Sequence, residues 1–242
     1  AAAGAALIAA PALHLRALAQ APARRLTPAQ TEGPFYPLAL PADSDADLLA
    51  NGGLRYAKGQ PAWVGGTVSD MEGRPVRGAV VEIWQCDEQG HYHHAGDGNR
   101  ADRAFQGFGK VAVDGEGRWR FRTIRPVAYG GRAPHIHVKV KLAARELLTT
   151  QLYVRGDAGN ARDFLWQRLR SDEERAALTV AFAPGSDGLM AKFPIIVAAY
   201  LLNPLVSIGL LVVVVVLGLW HAWSIGDAIG WPRMGRSTRV NS

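Results

Sequence analysis

Between Ala62 and Ala198 the chain is a series of short runs of β-branched and aromatic residues separated by glycine-containing turns. The runs are Trp63–Val68, Ala79–Trp84, Val111–Val113, Trp119–Ile124, His135–Leu142 and Leu147–Val154. Segments of this composition are typical of strands, and strands at this spacing favour packed antiparallel sheets. We therefore expect an all-β fold built as an antiparallel β-sandwich.

One helix is predicted within this pattern, at about residues 160–178. Its apolar stripe consists of Phe164, Leu165, Leu169 and Leu178. Ser171 precedes three acidic residues, and a serine in this position can accept hydrogen bonds from the first backbone N–H groups of a second helix. We expect one or two short helices that cover the sandwich or its edge.

The excess of positive charge lies at the two ends of the chain. The sequence has 27 Lys and Arg against 21 Asp and Glu, a formal charge of +6, and residues 1–30 and 191–242 hold +3 each. Residues 31–190 hold 20 basic and 20 acidic residues. Because this middle part has no net positive field for phosphate groups, we exclude nucleic acid as a partner. The single cysteine, Cys86, excludes a disulfide within the chain.

Residues 1–25 resemble an export signal. The first 20 residues are rich in Ala and Leu and contain no acid, and Ala17-Leu18-Ala19 fits the small-x-small pattern of a cleavage site. An ordinary N-terminal amphipathic helix is the alternative, but the stretch lacks a polar face. We expect an exported protein, periplasmic or extracytoplasmic, with its folded domain at residues 26–198.

Residues 199–223 are predicted to form a transmembrane segment. The chain from Phe193 to Trp220 has no charged residue and includes five consecutive valines. Tryptophans near its end suit an interfacial belt, and the arginines of the basic tail 224–242 would lie on the cytoplasmic side. A final core strand followed by a packed helix is the alternative, since valine runs also suit buried strands. The prediction implies membrane anchoring, with the domain outside the cytoplasm.

Two histidines and two tyrosines form the candidate site for chemistry. His135 and His137 are two positions apart in a predicted strand, so both imidazoles face the same side and can converge on one ion. Tyr129 precedes them across a Gly-Gly turn, and Tyr92 follows an earlier predicted strand. Phenolate is a hard anionic donor that forms at neutral pH only beside a strongly charged cation, which favours Fe(III). Zinc is the alternative metal and would recruit histidines from residues 91–94.

At these residues the sequence resembles the intradiol ring-cleavage dioxygenases, the group that includes protocatechuate and catechol dioxygenases. The stretches that match are Thr31–Pro37, Gly66–Asp70 with Gly73–Ala79, Val81–Gln85 leading to Tyr92, Phe121–Pro126, Tyr129 with Arg132–His137, and Thr150–Tyr153. They occur in order over about residues 30–198, and the compact domain looks nearer the protocatechuate type. The resemblance implies a transthyretin-like (prealbumin-like) β-sandwich.

The resemblance also implies roles for individual residues. The ligands to Fe(III) would be Tyr92, Tyr129, His135 and His137. Tyr129 would be the axial ligand that leaves iron when substrate binds. Arg132 would stabilise the ketonised substrate, Gln151 would line the same pocket, and Tyr36 would lie near its mouth. The implied catalytic residues are therefore Tyr129, Arg132 and Gln151, and the implied substrate-binding residues are Tyr36, Arg132 and Gln151.

The implied activity is that of a non-haem Fe(III) dioxygenase of aromatic compound catabolism. It would use O2 to cleave the ring of a catechol-type diol between its two hydroxylated carbons, giving a muconate-type diacid. Because only residues 130–134 separate Tyr129 from His135, we expect a more open pocket rim than in the protocatechuate and catechol enzymes. The partners would be the diol and O2, and assembly into a homo-oligomer is left open.

Two other functions remain as alternatives. Residues 66–70 followed by 73–76 are also typical of transthyretin-like and carboxypeptidase-regulatory-like sandwiches, which are non-catalytic modules. Such modules have no reason to contain the two tyrosines and two histidines. The other alternative is a zinc hydrolase built on His135, His137 and the histidines of residues 91–94.

Overall fold

The structure is a computed structural model that describes residues 24–198. Within this range the chain forms twelve strands, two short α-helices and two 3₁₀ turns. The strands are β1 (Ala50–Asn51), β2 (Leu54–Arg55), β3 (Pro61–Asp70), β4 (Ala79–Trp84), β5 (Phe108–Ala112), β6 (Arg118–Ile124), β7 (His135–Leu142), β8 (Arg145–Val154), β9 (Thr179–Val180), β10 (Ala183–Gly185), β11 (Gly188–Lys192) and β12 (Ile195–Val197). The α-helices are α1 (Phe164–Gln167) and α2 (Asp172–Ala177), and the 3₁₀ turns are Ala95–Asp97 and Asn160–Arg162.

The predicted segments at the two chain ends fall outside this range. The export signal 1–25, except for its last two residues, the transmembrane segment 199–223 and the basic tail 224–242 all lie outside the described residues. Within residues 24–198, no helix has the length and apolar character that crossing a bilayer requires. Most of the regular secondary structure in the described part is β-strand, as expected for an all-β fold.

Most strands belong to two five-stranded sheets. The first has the order β10-β11-β3. In it, β3 also pairs with β6, and the last three residues of β3 pair with β12. The second has the order β5-β4-β7-β8-β9. β1 and β2 form a separate two-stranded ladder.

The sheets are mixed, which corrects the expectation of purely antiparallel pairing. β11 and β12 each run parallel to β3, and β9 runs parallel to β8. Parallel neighbours need a crossover connection, and the chain makes one through α1 and α2 between Val154 and Thr179. The sequence pattern shows which segments are strands, but strand direction depends on how the chain returns to the sheet.

The six predicted strand runs are all present in the structure. Those at residues 79–84 and 135–142 have the predicted bounds, and the other four differ by one to three residues at their ends. Both five-stranded sheets contribute side chains to one hydrophobic core. Val64 and Phe121 enter it from the first sheet and Ile136 from the second, each with 0% of its surface exposed. Alternate residues of these strands therefore face away from the shared core.

Two short helices lie within the range 160–178, in agreement with the expectation of one or two short helices. Asp163 has extended backbone angles (φ −75°, ψ 118°), and its carboxylate accepts hydrogen bonds from the N–H groups that begin α1. Ser171 caps α2 as predicted, through a hydrogen bond from Glu174 N at 3.3 Å. Of the predicted apolar stripe, Leu169 and Leu178 are buried in the core, whereas Phe164 is exposed.

Residues 27–37, which we name the N-terminal strap, connect the two sheets. Thr27 N donates to Ile196 O in β12 at 2.9 Å, and Gln30 N donates to Thr149 O in β8 at 2.9 Å. The strap then crosses the face of the second sheet that is turned away from the core, where Glu32 forms an ion pair with Lys139 of β7. This face contains the candidate site.

A matched pair of leucines tests the assigned core. Leu152→Ala in β8, at a position with 0% exposure, should lower the free energy of unfolding by about 2–5 kcal/mol because the lost methyl groups leave a cavity. Leu38 is 88% exposed, so Leu38→Ala should change stability by less than about 0.5 kcal/mol. Urea denaturation followed by tryptophan fluorescence measures both variants, and equal losses would contradict the core assignment.

Candidate metal centre

The two predicted histidines lie side by side on the outer face of β7. His135 and His137 are 0% and 1% exposed, and their Nε2 atoms are 3.2 Å apart. Between them in sequence, Ile136 points into the core. In the ladder, His137 is opposite Trp84 of β4 and Gln151 of β8. The pairing on both sides of β7 therefore fixes where the imidazoles lie.

The hydrogen bonds of His135 define which of its nitrogens is available. His135 Nδ1 is 2.6 Å from Ala133 O, and a carbonyl oxygen only accepts, so Nδ1 carries the proton. Nε2 then presents its lone pair toward His137. Burial, together with the positive charge of Arg132, lowers the pKa of His135 to about 4. Burial, followed by the electrostatic effects of His135 and Arg132, lowers the pKa of His137 well below its ordinary value. Both imidazoles are therefore neutral at pH 7.

A tight turn brings Tyr129 to the same place. Gly130 and Gly131 have φ values of +52° and +79°, and Arg132 N donates to Tyr129 O at 2.7 Å. Two successive positive φ angles are typical of a type I′ turn, which glycine adopts without steric cost. The turn places the Tyr129 hydroxyl 3.3 Å from His135 Nε2.

Tyr92 completes a cluster of four potential metal donors. Its ring centroid is 5.0 Å from that of Tyr129 and 6.2 Å from that of His137. Phe35 of the strap stacks on Tyr92 at 4.7 Å, and the tyrosine is 2% exposed. Among residues 24–198 the Tyr92 hydroxyl has no hydrogen-bond partner. Burial raises the pKa of both phenols, that of Tyr92 well above its ordinary value.

The structure also brings together the two polar residues predicted for the pocket. Arg132 Nη2 donates to Gln151 Oε1 at 2.7 Å, and Gln151 Nε2 donates to Thr31 O in the strap at 3.1 Å. Tyr153, two residues after Gln151, places its ring 5.8 Å from that of His135 and its hydroxyl 3.3 Å from Arg132 Nη2. Arg132 therefore lies beside the cluster, within a network that includes Gln151.

Sequence reasoning missed Asp163, which forms the ion pair of Arg132. Asp163 Oδ2 accepts a hydrogen bond from Arg132 Nε at 2.7 Å. Its position before the apolar pair Phe164 and Leu165 is a signal for a helix N-cap, which the structure confirms. No local pattern indicates its second partner, because Arg132 is 31 positions away.

Tyr36 is close to the cluster, but its hydroxyl is engaged elsewhere. Tyr36 Oη donates to Glu82 Oε2 at 2.8 Å and accepts from Lys141 Nζ at 3.1 Å. Its ring packs edge-on against Trp84 at 5.0 Å, and Trp84 stacks on His137 at 4.8 Å with 10° between the ring planes. Tyr36 thus supports the wall behind His137, and its role in substrate binding stays a prediction.

The histidines of residues 91–94 do not join His135 and His137. His91 Nδ1 lies 3.4 Å from Asp97 Oδ2, His93 Nε2 contacts Phe105 O, and His94 Nδ1 accepts from Gly96 N. Within residues 24–198 no group of three or more His, Cys, Asp or Glu side chains could hold one metal ion. In the described range, the histidines of residues 91–94 therefore do not provide the further ligands that the zinc hydrolase alternative requires.

Known proteins contain the same sequence pattern. Residues 31–196, which include all four donors, match the family model described as Dioxygenase. The 6-chlorohydroxyquinol 1,2-dioxygenase of Cupriavidus pinatubonensis is 37% identical over 143 residues, which cover 52% of this chain and 49% of that protein. The protocatechuate 3,4-dioxygenase beta chain of Burkholderia cepacia is 39% identical over 121 residues, or 45% of this chain and 51% of that protein.

Solved structures share the fold. The dioxygenase domain of a dioxygenase carbohydrate-binding protein fusion from Streptomyces sp. SirexAA-E is 29% identical, with a TM-score of 0.56 over 72% of this chain and 99% of that chain. Catechol 1,2-dioxygenase from Acinetobacter sp. ADP1, inhibited by bound mercury, is 26% identical, with a TM-score of 0.55 over 71% of this chain and 62% of that chain. The chain belongs to the intradiol ring-cleavage dioxygenase family. It spans about half the length of the hydroxyquinol and protocatechuate relatives named above.

The Gly-Gly turn allows a test of what holds Tyr129 beside Arg132. A Cβ added at Gly130 or Gly131 would meet no atom within 4 Å, so substitutions there act through backbone strain. Gly131→Val should lower the free energy of unfolding by about 1–2 kcal/mol, because a β-branched residue is strained at positive φ. Gly130→Asn should cost less than about 0.5 kcal/mol, because Asn-Gly suits this turn. Urea denaturation measures both, and equal stabilities would contradict the assigned turn.

Proposed function

We propose that the chain is a non-haem iron(III) dioxygenase that cleaves the ring of a catechol-type diol between its two hydroxylated carbons. The reaction would add both atoms of O2 and give a muconate-type diacid. The observation that carries the proposal is the convergence of two buried imidazoles, one buried phenol and one partly buried phenol in a chain of this family. The names of the similar hydroxyquinol, protocatechuate and catechol dioxygenases support the substrate class.

The four donors fit Fe(III) in charge and in burial. Because burial raises the pKa of both tyrosines, their phenols lose a proton in this site only to a strongly charged cation. The buried Tyr92 hydroxyl, without a partner among residues 24–198, would gain one in a metal bond. Both imidazoles are neutral, which is the form that binds metals. The residues that would hold iron are Tyr92, Tyr129, His135 and His137.

The proposal includes the finer type of fold. We assign the two five-stranded sheets to a transthyretin-like β-sandwich and residues 26–198 to one dioxygenase domain. The core shared by the two sheets supports both assignments. A non-catalytic module of the same architecture would have no use for a buried cluster of metal donors, so the enzymatic function is favoured.

The residues around the cluster supply proton transfer and charge stabilisation. Iron held by these four residues would supply the positive charge that acidifies the two catechol hydroxyls and would draw electron density from the ring, giving a ring carbon the radical character that reacts with O2. We assign the role of proton acceptor to Tyr129, whose Oη, as phenolate, would take a proton from the entering diol; its greater exposure than that of Tyr92 supports this assignment. The Arg132 guanidinium offsets the negative charge that develops on a ring oxygen. A catechol and O2 together contain all the atoms of the diacid, so no flavin or nicotinamide is needed.

Aromatic side chains keep water away from these groups. Phe35 covers Tyr92 at a ring distance of 4.7 Å, and Trp84 covers His137 at 4.8 Å. In surroundings with little water, the positive charge of Arg132 acts more strongly on a nearby anion. Gln151 limits the motion of Arg132 through its 2.7 Å hydrogen bond.

Colour and oxygen consumption test the iron site. Protein with one iron per chain should absorb visible light through tyrosinate-to-Fe(III) charge transfer and consume O2 with a member of a panel of catechol, protocatechuate and hydroxyquinol. Tyr92→Phe and Tyr129→Phe should each shift or remove this absorption, and Tyr129→Phe should lower kcat by about 100-fold or more, since a proton acceptor is lost. Tyr56, a buried tyrosine outside the cluster, gives the control variant Tyr56→Phe, which should leave both properties unchanged.

Three outcomes would contradict this function. A colourless protein with stoichiometric iron would exclude the tyrosinate ligands. Full O2 uptake by a variant that combines Tyr129→Phe with His135→Ala would exclude the site. Mass spectrometry of the product formed with isotope-labelled O2 should find both labelled atoms in a muconate-type diacid, whereas a semialdehyde product would indicate cleavage beside the diol.

We also propose that the domain is exported and that residues 199–223 anchor it in a membrane. The sequence supports this through the signal-like residues 1–25 and the uncharged stretch that ends at Trp220. After carbonate extraction the full-length protein should remain in the membrane pellet, and protease added outside the cytoplasmic membrane should digest the domain. A soluble periplasmic protein serves as the control for release. Recovery of the full-length protein in the carbonate supernatant would contradict the anchor.

A further inference from the structure

A buried carboxylate holds one side of the Arg132 guanidinium. Asp163 Oδ2 accepts from Arg132 Nε at 2.7 Å, and Asp163 Oδ1 lies 3.4 Å from Nη2. From the other side, Gln151 Oε1 accepts from Nη2 at 2.7 Å. Among residues 24–198, the assigned hydrogen bonds of the guanidinium all use Nε or Nη2, so Nη1 is the terminal nitrogen that they leave for a ligand.

The backbone in turn holds Asp163. Besides Arg132, its carboxylate accepts from the backbone N–H of Ala133 at 2.9 Å. It also accepts from the N–H groups of Leu165 at 3.0 Å and Trp166 at 3.1 Å, both in the first turn of α1. One carboxylate therefore ties α1 to the loop that contains Arg132 and precedes β7.

The same loop orients a candidate metal ligand. Ala133 donates its N–H to Asp163 and accepts the Nδ1 proton of His135 at its carbonyl oxygen. The peptide groups on both sides of Ala133 are thus hydrogen-bonded, which restrains the loop directly before the cluster. A change at Asp163 would reach this loop without touching any of the four donors.

The Asp163–Arg132 pair is charged and largely shielded from water. Asp163 is 1% exposed, and the side chain of Arg132 is 12% exposed. Burial alone would raise the pKa of Asp163, but hydrogen bonds from Arg132, Ala133 and Trp166 lower it below its ordinary value. A charge-assisted pair in such surroundings restricts the direction of the guanidinium plane more than a solvated pair would.

We propose that Asp163 is a positioning residue of the ring-cleavage reaction, which holds the Arg132 guanidinium so that its Nη1 edge faces a diol bound at the four-donor cluster. The inference rests on the proposed function. Asp163 acts through Arg132, because its carboxylate contacts the arginine and the Ala133 loop and not the donors. Alignment matters because a guanidinium stabilises developing charge only when its N–H groups point at the oxygen that becomes negative.

Asp163→Asn is the informative variant. Asparagine has the same size and is also a good N-cap, so it can retain the hydrogen bonds to α1. An amide, however, has only one acceptor oxygen. When that oxygen caps α1, the amide nitrogen faces Arg132 Nε–H and Ala133 N–H and cannot accept a hydrogen bond from either. We expect kcat per bound iron to fall by about 10- to 100-fold with KM changed by less than about threefold, as for a contact made mainly in the transition state.

Ser171→Ala is the matched control. Ser171 caps α2 as Asp163 caps α1, and it contributes no contact to Arg132 or the four donors among its assigned hydrogen bonds. This variant should keep kcat and KM within about twofold of the wild type, because the lost cap costs stability only. Rates are normalised to the visible absorbance of bound iron, so unfolded protein does not count as a loss of activity.

A double-mutant cycle separates positioning from general destabilisation. If Asp163 acts through Arg132, adding Asp163→Asn to Arg132→Ala should lower kcat by no more than about twofold beyond Arg132→Ala alone. If the loss of kcat in the double variant equals the product of the losses in the two single variants, the two residues act independently and the inference is overturned. So would a wild-type kcat in Asp163→Asn.

A measurement on metal-free protein tests the Asp163–Arg132 contact independently of enzymatic activity. In the wild type, the Arg132 Nε–H signal in a nitrogen–proton NMR spectrum should be resolved and slow to exchange with solvent, and Asp163→Asn should remove it. An unchanged signal would overturn the inference.

If iron-loaded wild type consumes no O2 with any diol, the proposed function fails and this role with it. If the wild type is active and Asp163→Asn is equally active, only the positioning role fails.

Discussion

The alternation of side chains along β7 is the constraint on which the site depends. Ile136 and Val138 must lie in the core that the two sheets share, so His135 and His137 face the other way. A shift of one residue would put the imidazoles into the core and the isoleucine outside. Ladders with β4 and β8 on both sides prevent this shift and give the histidines the rigidity of a central strand.

Strand alternation places the histidines on an outer face, and the N-terminal strap then buries them. Gly33 of the strap has φ +76°, and a Cβ there would lie 3.2 Å from His137 Cε1, so glycine permits the close approach. Phe35 covers Tyr92, and the Glu32–Lys139 ion pair holds the strap to β7. This burial keeps the imidazoles neutral and the phenols protonated until a cation binds. The electrostatics of the site thus depend on contacts between chain segments that are far apart in the sequence.

The parts of the site that were predictable are those set by neighbouring residues. The common orientation of His135 and His137 follows from the two-residue period of a strand, and the position of Tyr129 follows from a turn that the Gly-Gly pair favours. The short helices at 160–178 were also predictable, but the use of the Asp163 carboxylate for Arg132 and Ala133 as well as for α1 was not. An apolar stripe contains no information about such a distant partner.

The sequence by itself determined the strands, the Gly-Gly turn and the types of donor atom, because alternation, positive φ and side-chain chemistry are local properties. The resemblance to a family added Tyr36, Arg132 and Gln151 to the expected site. Only the tertiary structure decided that the sheets are mixed, that Tyr36 directs its hydroxyl to Glu82, and that Asp163 holds Arg132. These features depend on how strands and loops far apart in the chain pack together, and no pattern of neighbouring residues specifies that packing.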